Sequence, residues 1–127
     1  MTFDEWATTS GVRVTSKKVA TRPNMGEWNR AASHWRVTVS LAGRRMTVYY
    51  SQGSAHTAPP RPADVLCCLQ LDASGADQAF ESWCGDCGLD ADSRKAYSTW
   101  EACRKTYVAL ERVLGAEFDT FMELEEE

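Results

Sequence analysis

The sequence is short of the features that mark several common protein classes. No apolar run approaches the roughly 18 residues that a membrane span needs. Met1 to Ser10 is mixed and acidic, where a signal peptide would be basic and then apolar. Both absences predict a cytoplasmic protein with no membrane partner. There is no glycine-rich phosphate loop and no GxSxG nucleophile motif. Only two histidines, His34 and His56, are available as general bases beside Ser54, Thr57 or a carboxylate. The chain therefore reads as non-enzymatic and without a cofactor. Its five cysteines are an odd number, which without a secretory signal predicts reduced, mostly buried thiols in place of a disulfide framework. No internal repeat is visible.

What is present is an asymmetry of charge. The 127 residues carry 14 Lys+Arg and 18 Asp+Glu, for a net charge of −4. Residues 1–63 hold nine Lys+Arg against three Asp+Glu, while residues 64–127 hold five against fifteen. A chain divided in this way offers a cationic and an anionic surface to different partners, which favours binding over catalysis. A hydrophobic content of 43%, with five Trp, four Tyr and four Phe, is enough for one packed domain over residues 1–127.

Hydrophobic periodicity organises that domain. Residues Val12 to Arg22 alternate loosely and predict a strand, broken by Pro23-Asn24-Met25-Gly26. His34 to Leu41 and Arg44 to Ser51 alternate with period two on either side of Ala42-Gly43, the pattern of a β-hairpin. A two-residue loop opposes Leu41 to Arg44, which sets Val39 against Met46, Val37 against Val48 and Trp35 against Tyr50 on one face. Ser40 then faces Arg45, Thr38 faces Thr47 and Arg36 faces Tyr49 on the other. A slip of one residue would mix the two faces, so the pattern supports this register. Residues 53–62 form a loop by composition.

Helices should follow. One starts at Pro62 and runs to about Asp72, with Asp64 placed against the helix dipole. A second spans about Asp77 to Cys87 and aligns Phe80, Trp83, Cys84 and Cys87 before Gly88. A third opens at Asp92 as N-cap and ends at Leu114, with a core stripe of Ala96, Trp100, Cys103, Tyr107, Leu110 and Leu114. A last short helix over Glu117 to Leu124 turns Phe118 and Phe121 inward, ahead of a fraying glutamate tail. Strands first and helices after imply an α+β domain. An antiparallel sheet of about three strands (residues 12–52) packs against three to four helices (residues 62–124).

Four constellations are candidates for function. The outer sheet face gathers Arg13, Lys17, Arg36, Arg45 and Tyr49 among threonines, the mixture that phosphate contacts and base stacking require. An ordinary solvated face, with Arg36 stacked on Tyr49, fits the same residues. The helical half gathers Asp64, Asp72, Asp86, Asp90 and Asp92, with Asp77 and Glu81 nearby. Spaced carboxylates of this kind can imitate a phosphate backbone, although acids at helix starts also serve capping and solubility. The string Trp83-Cys84-Gly85-Asp86-Cys87 is similar to the thioredoxin WCxxC signature. It is predicted to close a helix, where the dipole disfavours a thiolate, whereas that signature opens one. Cys84 and Cys87 also form half of a possible zinc set with Cys67, Cys68, Cys103 or His56, but no second CxxC knuckle exists.

Several stretches resemble a family of small accessory proteins encoded by bacteriophages and prophages. They are Trp35 to Val39 (WRVTV), Arg45 to Ala55 (RMTVYYSQGSA), Ala63 to Ala73 (ADVLCCLQLDA), and Phe80 to Ala96 with its SWC, GDCG and GLDADSRKA strings. The resemblance covers about two thirds of the chain, and SQGSA and DSRKA are its most specific parts. The family shares Cys84 but not the CxxC pair, which argues against a metal site built on both. The resemblance implies a non-enzymatic protein that binds and disables host machinery. Anti-CRISPR proteins are similar in size and skewed charge, and many occupy the nucleic-acid channel of a guide-RNA effector. The implied partner is a host defence protein or ribonucleoprotein such as a CRISPR effector, contacted through the acidic helical surface. Direct binding of DNA or RNA on the sheet face is the first alternative, and a small zinc- or thiol-dependent enzyme the second.

Overall fold

The computed structural model of the protein describes residues 1–20, 33–53 and 57–125. The chain opens with a helix that the sequence reading missed, α1 (Phe3–Ser10). Its start is a capping box: the Thr2 hydroxyl accepts from the Glu5 amide at 3.2 Å, and the Glu5 carboxylate accepts from the Thr2 amide at 3.4 Å. Gly11, at φ 81°, supplies the left-handed stop. The helix buries Phe3 and Trp6, whose rings lie 6.1 and 5.2 Å from that of Phe121. The Trp6 indole N–H donates to Glu117 at 3.0 Å, so the N-terminus is held against the C-terminal segment.

Three antiparallel strands follow, β1 (Arg13–Val19), β2 (Ser33–Leu41) and β3 (Arg44–Gln52), in the order β1-β2-β3. The strand expected over Val12 to Arg22 is thus shorter, and the Pro23–Gly26 break lies outside the described residues. The β2–β3 pairing has the expected register throughout, from Leu41 opposite Arg44 to Trp35 opposite Tyr50. Ala42 and Gly43 both have positive φ, 51° and 81°. A two-residue turn with that geometry matches the twist of the strands it joins.

The helical half contains α2 (Pro62–Ala73), α3 (Phe80–Cys87), α4 (Arg94–Leu114) and α5 (Phe118–Met122), the last preceded by a single 3-10 turn at Gly115–Glu117. Three expected starts shift, that of α5 by one residue from Glu117 to Phe118. α3 begins at Phe80 and not Asp77, because residues 74–79 form a turn in which the Gln78 side chain donates to the Gly75 carbonyl at 3.0 Å. The N-cap of α4 is Ser93 and not Asp92: the Ser93 hydroxyl accepts from the Ala96 amide at 3.2 Å, while the Asp92 amide donates to the Asp90 side chain at 2.9 Å.

The architecture is α+β. α4 lies against α2 and under the inner faces of β2 and β3, and α1 packs on α2. Trp35, Val37, Val39, Leu41 and Met46 from the sheet meet Leu66, Leu69, Leu110, Val113 and Leu114 from the helices in one buried cluster. Burying each such side chain contributes roughly 1.5–3 kcal/mol. A smaller cluster joins Trp83, Cys84 and Ala96 to Phe80, Trp100 and Cys103. The expected stripe of α4 therefore serves two cores, its first half the smaller one and its second half the larger. Among the described residues no helix is long and apolar enough to cross a membrane.

Candidate binding surfaces

The strand register fixes the outer face of the sheet. Across β1, β2 and β3 its rows read Arg13–Ser40–Arg45, Thr15–Thr38–Thr47, Lys17–Arg36–Tyr49 and Val19–His34–Ser51. Consecutive rows are about 6.8 Å apart, two residues of strand rise. Arg13, Lys17, Arg36, Arg45 and Tyr49 are all exposed, so the five residues singled out on this face do share it. None of the three strands contains an Asp or Glu. Two of the three acids of residues 1–63, Asp4 and Glu5, lie on α1 instead. Among the described residues the one ion pair is Arg61 with Asp4 at 3.8 Å, away from this face.

Two local arrangements give the face detail. In the third row the Arg36 guanidinium sits 5.8 Å from the Tyr49 ring centre, with one nitrogen 3.4 Å from the phenol oxygen. That separation is close to the outer limit of a cation–π contact, and Tyr49 remains 69% exposed. In the first row Arg13 and Arg45 flank Ser40 at the rim of a shallow depression of about 380 Å³, lined also by Gly11, Thr38 and Gly43. His34 and Ser51 pair in the last row, at 2.8 Å between ring nitrogen and hydroxyl. The backbone beneath is held from the helical side: the Arg112 guanidinium donates to the Arg45 carbonyl at 3.1 Å, and that of Arg44 to the Val113 carbonyl at 3.0 Å.

The acidic residues are arranged differently. Asp64, Asp72, Asp86, Asp90 and Asp92 are all exposed. Asp64 and Asp72 stand in the first and last turns of α2, about 12 Å apart along the helix. Partial burial pushes the Asp72 carboxyl above the usual carboxylate range. Asp86, Asp90 and Asp92 lie in α3 and the turn that leads to α4. The structure thus groups these last three and leaves Asp64 at the other end of α2.

The cysteines are more exposed than the sequence suggested. All five are free thiols; Cys84 is buried, Cys67 and Cys103 are half-buried, and Cys68 and Cys87 are exposed. The stripe of α3 ends at Cys84, since one further turn carries Cys87 beyond the small core. Burial pushes the Cys84 thiol up, helped by Cys87, Asp90 and Glu81. Burial also raises Cys103, helped by Asp72 and Cys87. Both shifts favour the protonated thiol, the opposite of an exchange nucleophile. The WCGDC string does close its helix, with Gly88 in the left-handed conformation at the end. Among the described residues no three His, Cys, Asp or Glu side chains are placed to hold a metal ion. His56 and Ser54 lie outside the described residues.

A groove along α4, unnoticed in the sequence, is bordered by Trp100, Glu101, Arg104, Lys105, Val108 and Arg112 and encloses about 400 Å³. Two of its cations are already engaged. Arg104 donates to the Ala76 carbonyl at 3.2 Å and lies 5.7 Å from the Trp100 ring centre, and Arg112 holds the Arg45 carbonyl. No protein-family model, no curated protein and no solved structure matches the chain.

Proposed function

We propose that the protein binds nucleic acid through the outer face of its sheet. The observation that supports this reading is the carboxylate-free grid of Arg13, Lys17, Arg36 and Arg45, set by strand register around a row of threonine hydroxyls. Clustering like charges on one face opposes folding through mutual repulsion. Phosphates relieve that repulsion, with guanidinium and hydroxyl donors supplying hydrogen bonds to their oxygens. The test is fluorescence anisotropy with labelled DNA and RNA at low salt. Binding is expected from the wild type and loss of it from the Arg36→Ala, Arg45→Ala double variant. A wild-type protein that binds neither nucleic acid at 50 mM salt, a condition in which phosphate contacts are strong, overturns the proposal.

A second reading keeps the acidic turn as a contact for the basic channel of a partner protein such as a CRISPR effector. It is supported by Asp86, Asp90 and Asp92, all exposed within one short stretch. Reversing the three to Lys should abolish inhibition of such an effector while the fold survives. Unchanged inhibition in that variant removes this reading.

A further inference from the structure

We infer that the nucleic acid taken by the sheet face is single-stranded, with one unpaired base stacked on Tyr49 and backbone phosphates held beside it. The inference rests on the binding face proposed above and adds which form of nucleic acid the face selects.

Tyr49 is the first ground for it. A tyrosine on a sheet normally packs much of its ring against cross-strand neighbours, yet this one is 69% exposed and enters no ring–ring pair among the described residues. Its neighbours in register are short or cationic: Thr47 one row away on β3, and Arg36 across on β2. Arg36 lies over one side of the ring, 5.8 Å from its centre and with one nitrogen 3.4 Å from the phenol oxygen, and still leaves Tyr49 largely exposed. An aromatic face so placed is a platform for a base. Stacking on such a platform needs a base whose own face is uncovered, which a duplex does not offer.

Shape is the second ground. The major groove of a duplex admits a helix or a two-stranded ribbon. The edge strands of this sheet are about 10 Å apart before side chains are counted, and basic residues stand on both of them. The face is too broad to enter a groove, and its exposed rows leave room for a single strand laid across it.

The third ground is where the cations lie relative to Tyr49. Lys17 and Arg36 share its row, while Arg13 and Arg45 stand two rows away on either side of Ser40. Between them the row Thr15–Thr38–Thr47 presents only short side chains over a distance of about 14 Å along the strands. A phosphate above Ser40 is within reach of both Arg13 and Arg45, at the depression they border. A base on Tyr49 and a phosphate at Ser40 thus define a path along the face, and the threonine hydroxyls line it.

The experiment compares oligonucleotides of about 12 nucleotides, within the span that small sheet-based binders cover: single-stranded DNA, single-stranded RNA of the same sequence, and duplex DNA. Each is titrated by anisotropy against the wild type, Tyr49→Phe and Tyr49→Ala. Both single strands, or one of them, should bind more tightly than the duplex. Tyr49→Phe should bind as the wild type does. Tyr49→Ala should lose about 5- to 150-fold on single strands, with its weaker duplex binding changed far less and the protein still folded, its thermal midpoint lowered by the lost cross-strand pair with Arg36 alone. Duplex binding as tight as single-strand binding, or full single-strand affinity in Tyr49→Ala, overturns this inference and leaves the proposed face standing. No binding of any oligonucleotide by the wild type brings down both.

Discussion

The outer sheet face and the acidic turn between α3 and α4 carry opposite charges for different physical reasons. On the helical side several of the acids have local work to do. Asp64 and Glu81 stand in the first turns of α2 and α3, where the dipole favours them. Asp90 accepts the Asp92 amide and shapes the turn before α4. The cations of the sheet face have no such local role. Arg13, Lys17 and Arg45 cap nothing and pair with no carboxylate among the described residues, and the strands around them contain no acid. Charge that the fold does not need is the better guide to what a surface binds, which is why the sheet face carries the proposed function.

The largest effect should come from reversing charge on each region in turn. Arg13→Glu with Arg45→Glu should weaken nucleic-acid binding about 100-fold or more, since hydrogen bonds to charged groups are worth roughly 1.5–3 kcal/mol each. Asp86→Lys with Asp90→Lys and Asp92→Lys should leave that binding within a few-fold of wild type. A gain in the aspartate variant comparable in size to the loss in the arginine variant would mean that overall charge, and not the sheet face, governs binding.

The two turns offer a comparison of moderate size. Ala42 sits at φ 51°, a conformation that costs a residue with a Cβ about 1–2 kcal/mol and that asparagine tolerates better. Ala42→Asn should therefore stabilise the hairpin by about 1 kcal/mol, raising the thermal midpoint by roughly 4 °C. Ser93→Ala removes the cap of α4 and should cost about 1 kcal/mol. Ser93→Ala should keep nucleic-acid affinity, because Ser93 lies at the start of α4, whereas Ala42 lines the depression between Arg13 and Arg45 and its variant is read for stability alone.

The smallest effect concerns Asp72. Its carboxyl is raised by partial burial, so the native state holds the proton more tightly than the unfolded chain does. The stability this gives is fully present below the unfolded value of about 3.9 and is lost as pH rises through the folded value. Asp72→Asn should accordingly be slightly more stable than wild type at pH 7, with the gain gone near pH 3, as urea melts at the two pH values would show.

The hairpin was legible to the residue because alternation on both sides of Ala42-Gly43 admits one register, and from that register the whole outer face follows. The start of α2 was legible because Pro62 suits the first helical position. α1 went unread even though its signals were present: Thr2 and Glu5 at capping-box spacing, Phe3 and Trp6 three apart, and Gly11 as a stop. The helix is eight residues long, and its stability comes from Trp6 and Phe3 packing on Phe121 far along the chain, a contact no local pattern contains. The same limit applies to the acids and cysteines. Sequence spacing put Asp64 and Asp72 at opposite ends of one helix, as they are, but it could not tell that Asp92 would sit in the turn and leave the N-cap of α4 to Ser93. Nor could it tell that Cys87 stands one turn outside the small core.

The most direct test of the sheet face is the salt dependence of single-strand binding, measured for the wild type and for Arg13→Ala, Arg45→Ala. Four phosphate contacts at about 0.7 each give a slope of log affinity against log salt near −3. Removing two should bring the slope to about −1.5 with weaker binding throughout. An unchanged slope in the double variant would contradict the assignment of the phosphates to this face.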